Sequence, residues 1–251
     1  MKRLAKNSSF LWVTACGLMA LAGGGAPLSS AQDAKPDPYA QMAPLEQYLM
    51  ERNAEIALAR SAAPESVSRD ATVLVLGRHG YETAVEGKNG FVCMVERAWF
   101  SAFDAPEYWN PKIRGADCLN PEAARSVLPL QRKRTDLVLA GESKSAVFDA
   151  MKAGFAKKEF PALEPGAIGY MMSKDSYLTD GGSHNMPHVM MFVPVADDAE
   201  WGAGLPGVPV GSAPYWFTTE DAKHKTAGVP VIRIFYVAVR KWSDGSVVSP
   251  M

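Results

Sequence analysis

A chain of 251 residues, 47% hydrophobic and 21% charged, has the balance of a folded protein and excludes a disordered or repetitive one. Its formal net charge of −1 offers no basic surface for nucleic acid or anionic lipid.

The first residues differ from the rest. Lys2, Arg3 and Lys6 form a basic start, residues 10–22 are apolar, and Ser29-Ser30-Ala31 supplies small residues for a signal peptidase. This is the three-part pattern of a secretory signal peptide, residues 1–31. Cleavage after Ala31 leaves 220 residues and removes three cations and no acids, taking the net charge from −1 to −4. Val13-Thr14-Ala15-Cys16 resembles a lipobox, which would instead anchor a lipoprotein through Cys16. Cys16 sits inside the apolar run rather than at its end, and this favours ordinary cleavage. The run is broken by Gly23-Gly24-Gly25 and Pro27 short of the roughly 20 residues of a membrane span, so none is expected after cleavage. The expected localisation is periplasmic or secreted.

Residues 32–41 read as a polar linker, and residues 42–251 as a single globular domain. Pro44 opens a helical pattern with Leu45, Tyr48, Leu49 and Ile56 on one face. Residues 71–76 form a β-branched run suited to a strand buried on both faces. Residues 81–85 and 91–95 follow as strands of a hairpin turned by Asn89-Gly90. Cys93 lies in the second of them and Cys118 in the polar connection beyond. In an oxidising compartment the two form a disulfide that pins that connection to the sheet.

Asn120-Pro121-Glu122 is an N-cap, first-turn proline and first-turn acid, and Pro129 limits the helix it starts. Residues 135–140 suit either strand or helix. Ser143 caps a second amphipathic helix running to about Lys158, with Phe148, Met151 and Phe155 on one face. Residues 167–172 and 188–194 read as strands joined by a long loop. Residues 202–214 are Gly- and Pro-rich and read as loop, and residues 230–240 as the last strand. Helices and strands follow without βαβ alternation. The fold class is therefore α+β, with a largely antiparallel sheet and a few flanking helices.

Three places carry candidate chemistry. Arg78-His79-Gly80 follows a buried-type strand and resembles the signature of the histidine phosphatase family. The resemblance implies His79 as the phosphorylated nucleophile and Arg78 as a phosphate ligand, with a second active-site histidine later in the chain. His184, His188 and His224 are on offer. The alternative is an exposed turn.

The long loop holds Asp180, His184 and His188, with Met186, Met190 and Met191 close by. Oxygen, imidazole and thioether together suit copper or zinc. Pro187 and Gly181-Gly182 oppose a helix, so His184, Met186 and His188 share a face only on extended chain. The alternative leaves both methionines in the core and the histidines on the surface. Third, Tyr215-Trp216-Phe217 after the Gly-Pro segment suit either a ligand pocket or a small satellite core.

No serine elbow, zinc-protease helix, P-loop or dinucleotide fingerprint occurs. No cofactor is demonstrable. The expectation is an exported, non-catalytic domain that binds a small ligand or an envelope partner.

Overall fold

The computed structural model describes residues 37–181, 186–194, 202–215 and 232–248. The predicted signal peptide, His184, Trp216, Phe217 and His224 lie outside the described residues.

Among the described residues, eight strands form one sheet: β1 (Thr72–Gly77), β2 (Gly80–Val85), β3 (Val92–Glu96), β4 (Gly115–Leu119), β5 (Ile168–Met171), β6 (His188–Pro194), β7 (Val210–Tyr215) and β8 (Ile232–Ala238). Their spatial order is β2-β1-β3-β4-β5-β6-β8-β7. Every neighbouring pair is antiparallel except β1 and β3. Five helices accompany the sheet: α1 (Arg52–Arg60), α2 (Glu65–Ser68), α3 (Pro121–Ser126), α4 (Leu128–Leu139) and α5 (Lys144–Ala156). The α+β class and the largely antiparallel sheet are as expected.

Side chains alternate across the strands and build two cores. Leu74, Leu76, Met94 and Leu119 join the larger core, on the side of α3, α4 and α5. Val73, Cys93, Val95, Ala116 and Cys118 join a second core under α1. Among the described residues no helix is long and apolar enough to cross a membrane.

Several expectations are corrected. Asn89-Gly90 does not turn a hairpin between β2 and β3. The hairpin joins β1 to β2, with Gly77 paired to Gly80 and Arg78-His79 as its two-residue loop. Gly80 has φ +131°, where a side chain would be strained. β3 lies on the opposite side of β1 and runs parallel to it. Gly90 still takes a positive φ of +80°, but in a connection that Asn89 ties to the carbonyl of Val67.

The helix expected from Pro44 is broken. Leu45–Gln47 is one 3₁₀ turn, and α1 starts afresh with the Glu51 side chain accepting from the amide of Ala54. The cause is Tyr48, which is fully buried. Its hydroxyl donates to the Trp109 carbonyl, and its own carbonyl is taken by Arg97 rather than by a helical amide. Cys118 stands within β4, not in a loop, directly opposite Cys93. The disulfide is formed and therefore bridges two central strands. Residues 135–140 belong largely to α4. Residues 210–214, read as loop, belong to edge strand β7, where a proline is tolerated because an edge has unpaired positions. The cap expectations hold: Asn120 accepts from the amide of Ala123, and Ser143 from that of Ala146.

One buried ion pair connects these parts. Arg97 and Glu55 have side chains 0% and 1% exposed and lie 2.8 Å apart. Arg97 also donates to the carbonyls of Tyr48 and Val95, and Glu55 accepts from the amide of Leu76. Removing one member strands the other charge, which costs about 3–5 kcal/mol in comparable sites. Denaturant unfolding of Arg97→Met is therefore expected to show a loss of about that size. The double variant Glu55→Leu/Arg97→Met should regain the charge penalty and keep only the loss of about 1–3 kcal/mol per unbonded buried group. Equal stability of the single variant and the parent would contradict this reading.

Candidate functional site

Among the described residues, Arg78, His79, Asp180 and His188 do not come together at one site. Arg78 and His79 are exposed at the tip of the β1–β2 hairpin, and Arg78 pairs with Glu46 at 2.9 Å. β1 and β6 are four strand positions apart. At about 4.8 Å per position this places their axes roughly 19 Å apart. His188, on β6, therefore does not face His79 across a phosphate-sized gap.

Asp180 sits at the centre of a hydrogen-bond network. Its carboxylate accepts from the hydroxyls of Tyr39 and Tyr177 and from Lys112 at 3.1 Å. Those donors, Tyr177 first, hold its pKa well below the usual carboxylate range. Its own amide donates to Glu107, as does the Thr179 hydroxyl. Asp180 thus ties the long loop to the connection that carries Lys112 and Glu107. His188 opens β6, with Nδ1 2.8 Å from the Met186 carbonyl and its ring edge-on to Tyr236. Met190 is buried in the larger core. Among the described residues no group of three or more His, Cys, Asp or Glu side chains is placed to hold a metal ion.

The structure does bring together charged residues that periodicity passes over. Glu96 faces Gly115 across the β3–β4 ladder, with Asp117 two residues further along. Period-2 alternation puts both acids on the face that carries Met94, under α4. Asp117 is 0% exposed, and neither of its oxygens accepts a hydrogen bond. Gln131 lies close enough to ease its charge, and it donates to Glu96 at 2.8 Å. The strands make room for this pair: a Cβ at Gly169 would lie 2.8 Å from Asp117 Oδ1. Burial pushes the Asp117 pKa up to about 7. Loss of water and then the neighbouring Asp117 raise Glu96 well above its ordinary value, with Arg134 and Gln131 opposing.

Arg134 connects the acid pair to a cavity. It is 0% exposed and donates to the Ser101 carbonyl at 2.6 Å. Its guanidinium lies 3.9 Å from the centre of the Phe103 ring and 5.2 Å from that of Tyr108. Cation–π contact of this kind sets the rings in place. On α5, Lys144 and Phe148 are four residues apart, as are Ser145 and Asp149, so the four line one stripe of the helix. Together with Phe103 and Asp104 they line an open groove of about 280 Å³. Phe103 and Phe148 meet edge to face at 5.2 Å, which makes an aromatic corner. The cavity is not under the Gly-Pro segment, where Leu205 and Val208 are exposed.

Sequence reasoning had placed Phe148 on the apolar stripe of α5. Phe103 was out of reach, because nothing local signals that residues 45 positions apart meet. For the acids a signal existed: Asp117 interrupts an otherwise small and apolar strand, and Glu96 ends one.

The acid pair generates a pH prediction. Both carboxyls bind their protons more tightly folded than unfolded, so folding takes up protons. The resulting stability is present below the ordinary carboxyl range near pH ~4 and is lost as pH rises through about 7 for Asp117. The slope is about 1.4 kcal/mol per pH unit for each proton. Denaturation midpoints of the parent should fall between pH 5 and 8, and Asp117→Asn should flatten at least half of that fall. An unchanged slope in the variant would remove Asp117 as the source.

No family model, no curated protein and no solved structure matches this chain, so its functional reading rests on the geometry described above.

Proposed function

We propose that this chain is an exported, non-catalytic domain that binds a small ligand in the cavity between α5 and the connection from β3 to β4. The observation that carries the reading is the cavity: about 280 Å³, walled by Phe103 and Phe148 and rimmed by Lys144, Ser145, Asp104 and Asp149. Ligand sites are commonly apolar concavities with a few polar groups, of about 300 Å³ or more, and this one lies just under that range, which limits its occupant to a fragment-sized molecule. Its walls belong to rigid elements, since α5 is capped by Ser143 and Phe103 is held by Arg134. The phosphatase and metal alternatives rest on Arg78, His79, Asp180 and His188, which do not line the cavity, and on His184, which lies outside the described residues.

The export reading joins the signal-like N-terminus to the Cys93–Cys118 disulfide, a bond typical of periplasmic and secreted proteins. Cleavage after Ala31 yields a freely diffusing domain, and lipidation of Cys16 yields an anchored one.

Benzyl alcohol is a neutral probe of the cavity. Calorimetric titration is expected to give saturable 1:1 binding at about millimolar Kd, worth about 4 kcal/mol. Phe148→Ala should abolish it, with near-native far-ultraviolet circular dichroism showing that the variant folds. Equal binding by parent and variant, or no saturable binding, would remove this reading. Intact-mass measurement of the chain expressed with its N-terminus in a Sec-competent host should give a mature protein starting at Gln32. A mass that retains residues 1–31 would contradict export by this signal.

A further inference from the structure

We propose that one end of the sheet is a docking face for a phospholipid bilayer, whose interface receives the apolar tips of three loops. This face is a different place from the α5 groove and does not depend on it.

Strand register defines the end. Met171 of β5 is level with His188 of β6, His188 with Ala238 of β8, and Val237 of β8 with Val210 of β7. The loop after β5, the turn before β7 and the hairpin after β8 therefore leave the sheet at the same end. Backbone bonds tie them to it and to each other: the Ser243 amide donates to the Met172 carbonyl at 3.0 Å, and the Val239 amide to the Pro187 carbonyl at 2.9 Å. Single exposed apolar side chains are ordinary on a protein surface. Here the large ones that are exposed among the described residues all sit in these three loops: Tyr177 at 38%, Leu205 at 50%, Val208 at 39% and Val247 at 70%. Apolar side chains gathered in this way mark an interaction site.

The turn that carries Leu205 and Val208 suits an apolar phase in its backbone as well, where unpaired amides are costly. The Val208 amide donates to the Leu205 carbonyl at 3.1 Å, with Gly207 at φ +80°, and the Gly204 amide donates to the Val210 carbonyl at 3.0 Å. Pro206 and Pro209 have no amide hydrogen to satisfy. The sequence from Trp201 to Thr219 contains no charged residue. On the hairpin after β8, Val247 pairs with Lys241, and Arg240 and Lys241 are both exposed. Long cationic side chains next to apolar tips reach the level of lipid phosphates. The acids of this end, Asp175, Asp180 and Asp244, stand beside Lys174 and Lys112.

The path of the chain identifies the occupant. The N-terminal chain joins the fold at this end, where the Tyr39 hydroxyl donates to Asp180 in the loop after β5. The residues before it include the apolar run 10–22 and Cys16. A domain still joined to that run, or lipidated at Cys16, is therefore tethered to a bilayer from the end that bears the tips. Those tips stand on three different loops rather than line one groove, which fits a deformable lipid interface better than the socket of a folded partner.

Co-sedimentation of the mature protein with phosphatidylcholine vesicles is expected to show half-binding at about 1 mM lipid. Leu205→Asp and Val247→Asp should each raise that concentration about tenfold. Thr83→Asp adds the same charge at an exposed position of edge strand β2 and should change nothing. A nitrobenzoxadiazole dye on Leu205→Cys should shift to the blue when vesicles are added, and the same dye on Thr83→Cys should not. These positions are exposed, and unchanged far-ultraviolet circular dichroism verifies folding. No vesicle binding by the parent, or equal binding by the parent and Leu205→Asp, would overturn the inference. A parent dimer that Leu205→Asp dissociates, seen by sedimentation equilibrium without vesicle binding, would overturn it in favour of a second copy. Benzyl alcohol titration of the same variants reads the α5 groove separately, so either reading can fail alone.

Discussion

Three pieces of chain meet at one guanidinium, and a fourth joins them through its carboxylate partner. Arg97 ends the run of β3, and from there it reaches the carbonyl of Tyr48 before α1, the carboxylate of Glu55 within α1 and the carbonyl of Val95. Glu55 in turn holds the amide of Leu76 in β1. A buried charge is costly, and it is tolerated here because each of its donor directions has an oxygen to meet. The docking of α1 is therefore as much polar as hydrophobic. The same geometry explains why the N-terminal helix is interrupted: once the Tyr48 carbonyl serves Arg97, it is not available to the next helical turn.

From Arg97 the chain enters the connection that ends at Gly115. That connection buries Trp99, Phe100, Phe103, Tyr108 and Trp109. It is fixed at its start by Arg97, along its length by Arg134, and across its ends by the strand pairing that the disulfide reinforces. A cross-link enclosing a loop of this length contributes about 3 kcal/mol by restricting the unfolded chain. On the far side, Glu107 and Lys112 anchor the long loop through Thr179 and Asp180. The aromatic connection is thus held on every side, and Phe103 is presented to α5 as a preset wall. A preset wall is what lets a small cavity discriminate, since little ordering is left to be done on binding.

Much of this architecture was legible in the sequence. The strands at residues 71–76, 167–172 and 188–194 announced themselves by β-branched and apolar runs, and Asn120 and Ser143 by their capping positions. The disulfide followed from an even cysteine count. Other features were hidden for identifiable reasons. Gly90 needs the positive φ that a hairpin would also need, so the local signal could not tell a turn from a connection. The parallel pairing of β1 and β3 depends on the chain passing from β2 on one side of β1 to β3 on the other, which is a global matter. Glu55, Arg97, Asp117 and Arg134 are charged, and hydrophobic periodicity assigns charge to the surface. Only the fold places each beside a partner, Asp117 beside Glu96 and Gln131. The cavity was hidden for the same reason, because half of it belongs to a connection that no repeating pattern describes.

The account turns on whether the corner between Phe103 and Phe148 receives a ligand. Backbone amide spectra of the isotope-labelled mature protein, recorded during titration with benzyl alcohol, test this most directly. The account predicts saturable shifts confined to residues 101–109 and 143–149, with Arg134 side-chain signals moving in step. Shifts centred elsewhere, or none at saturating probe, would contradict it.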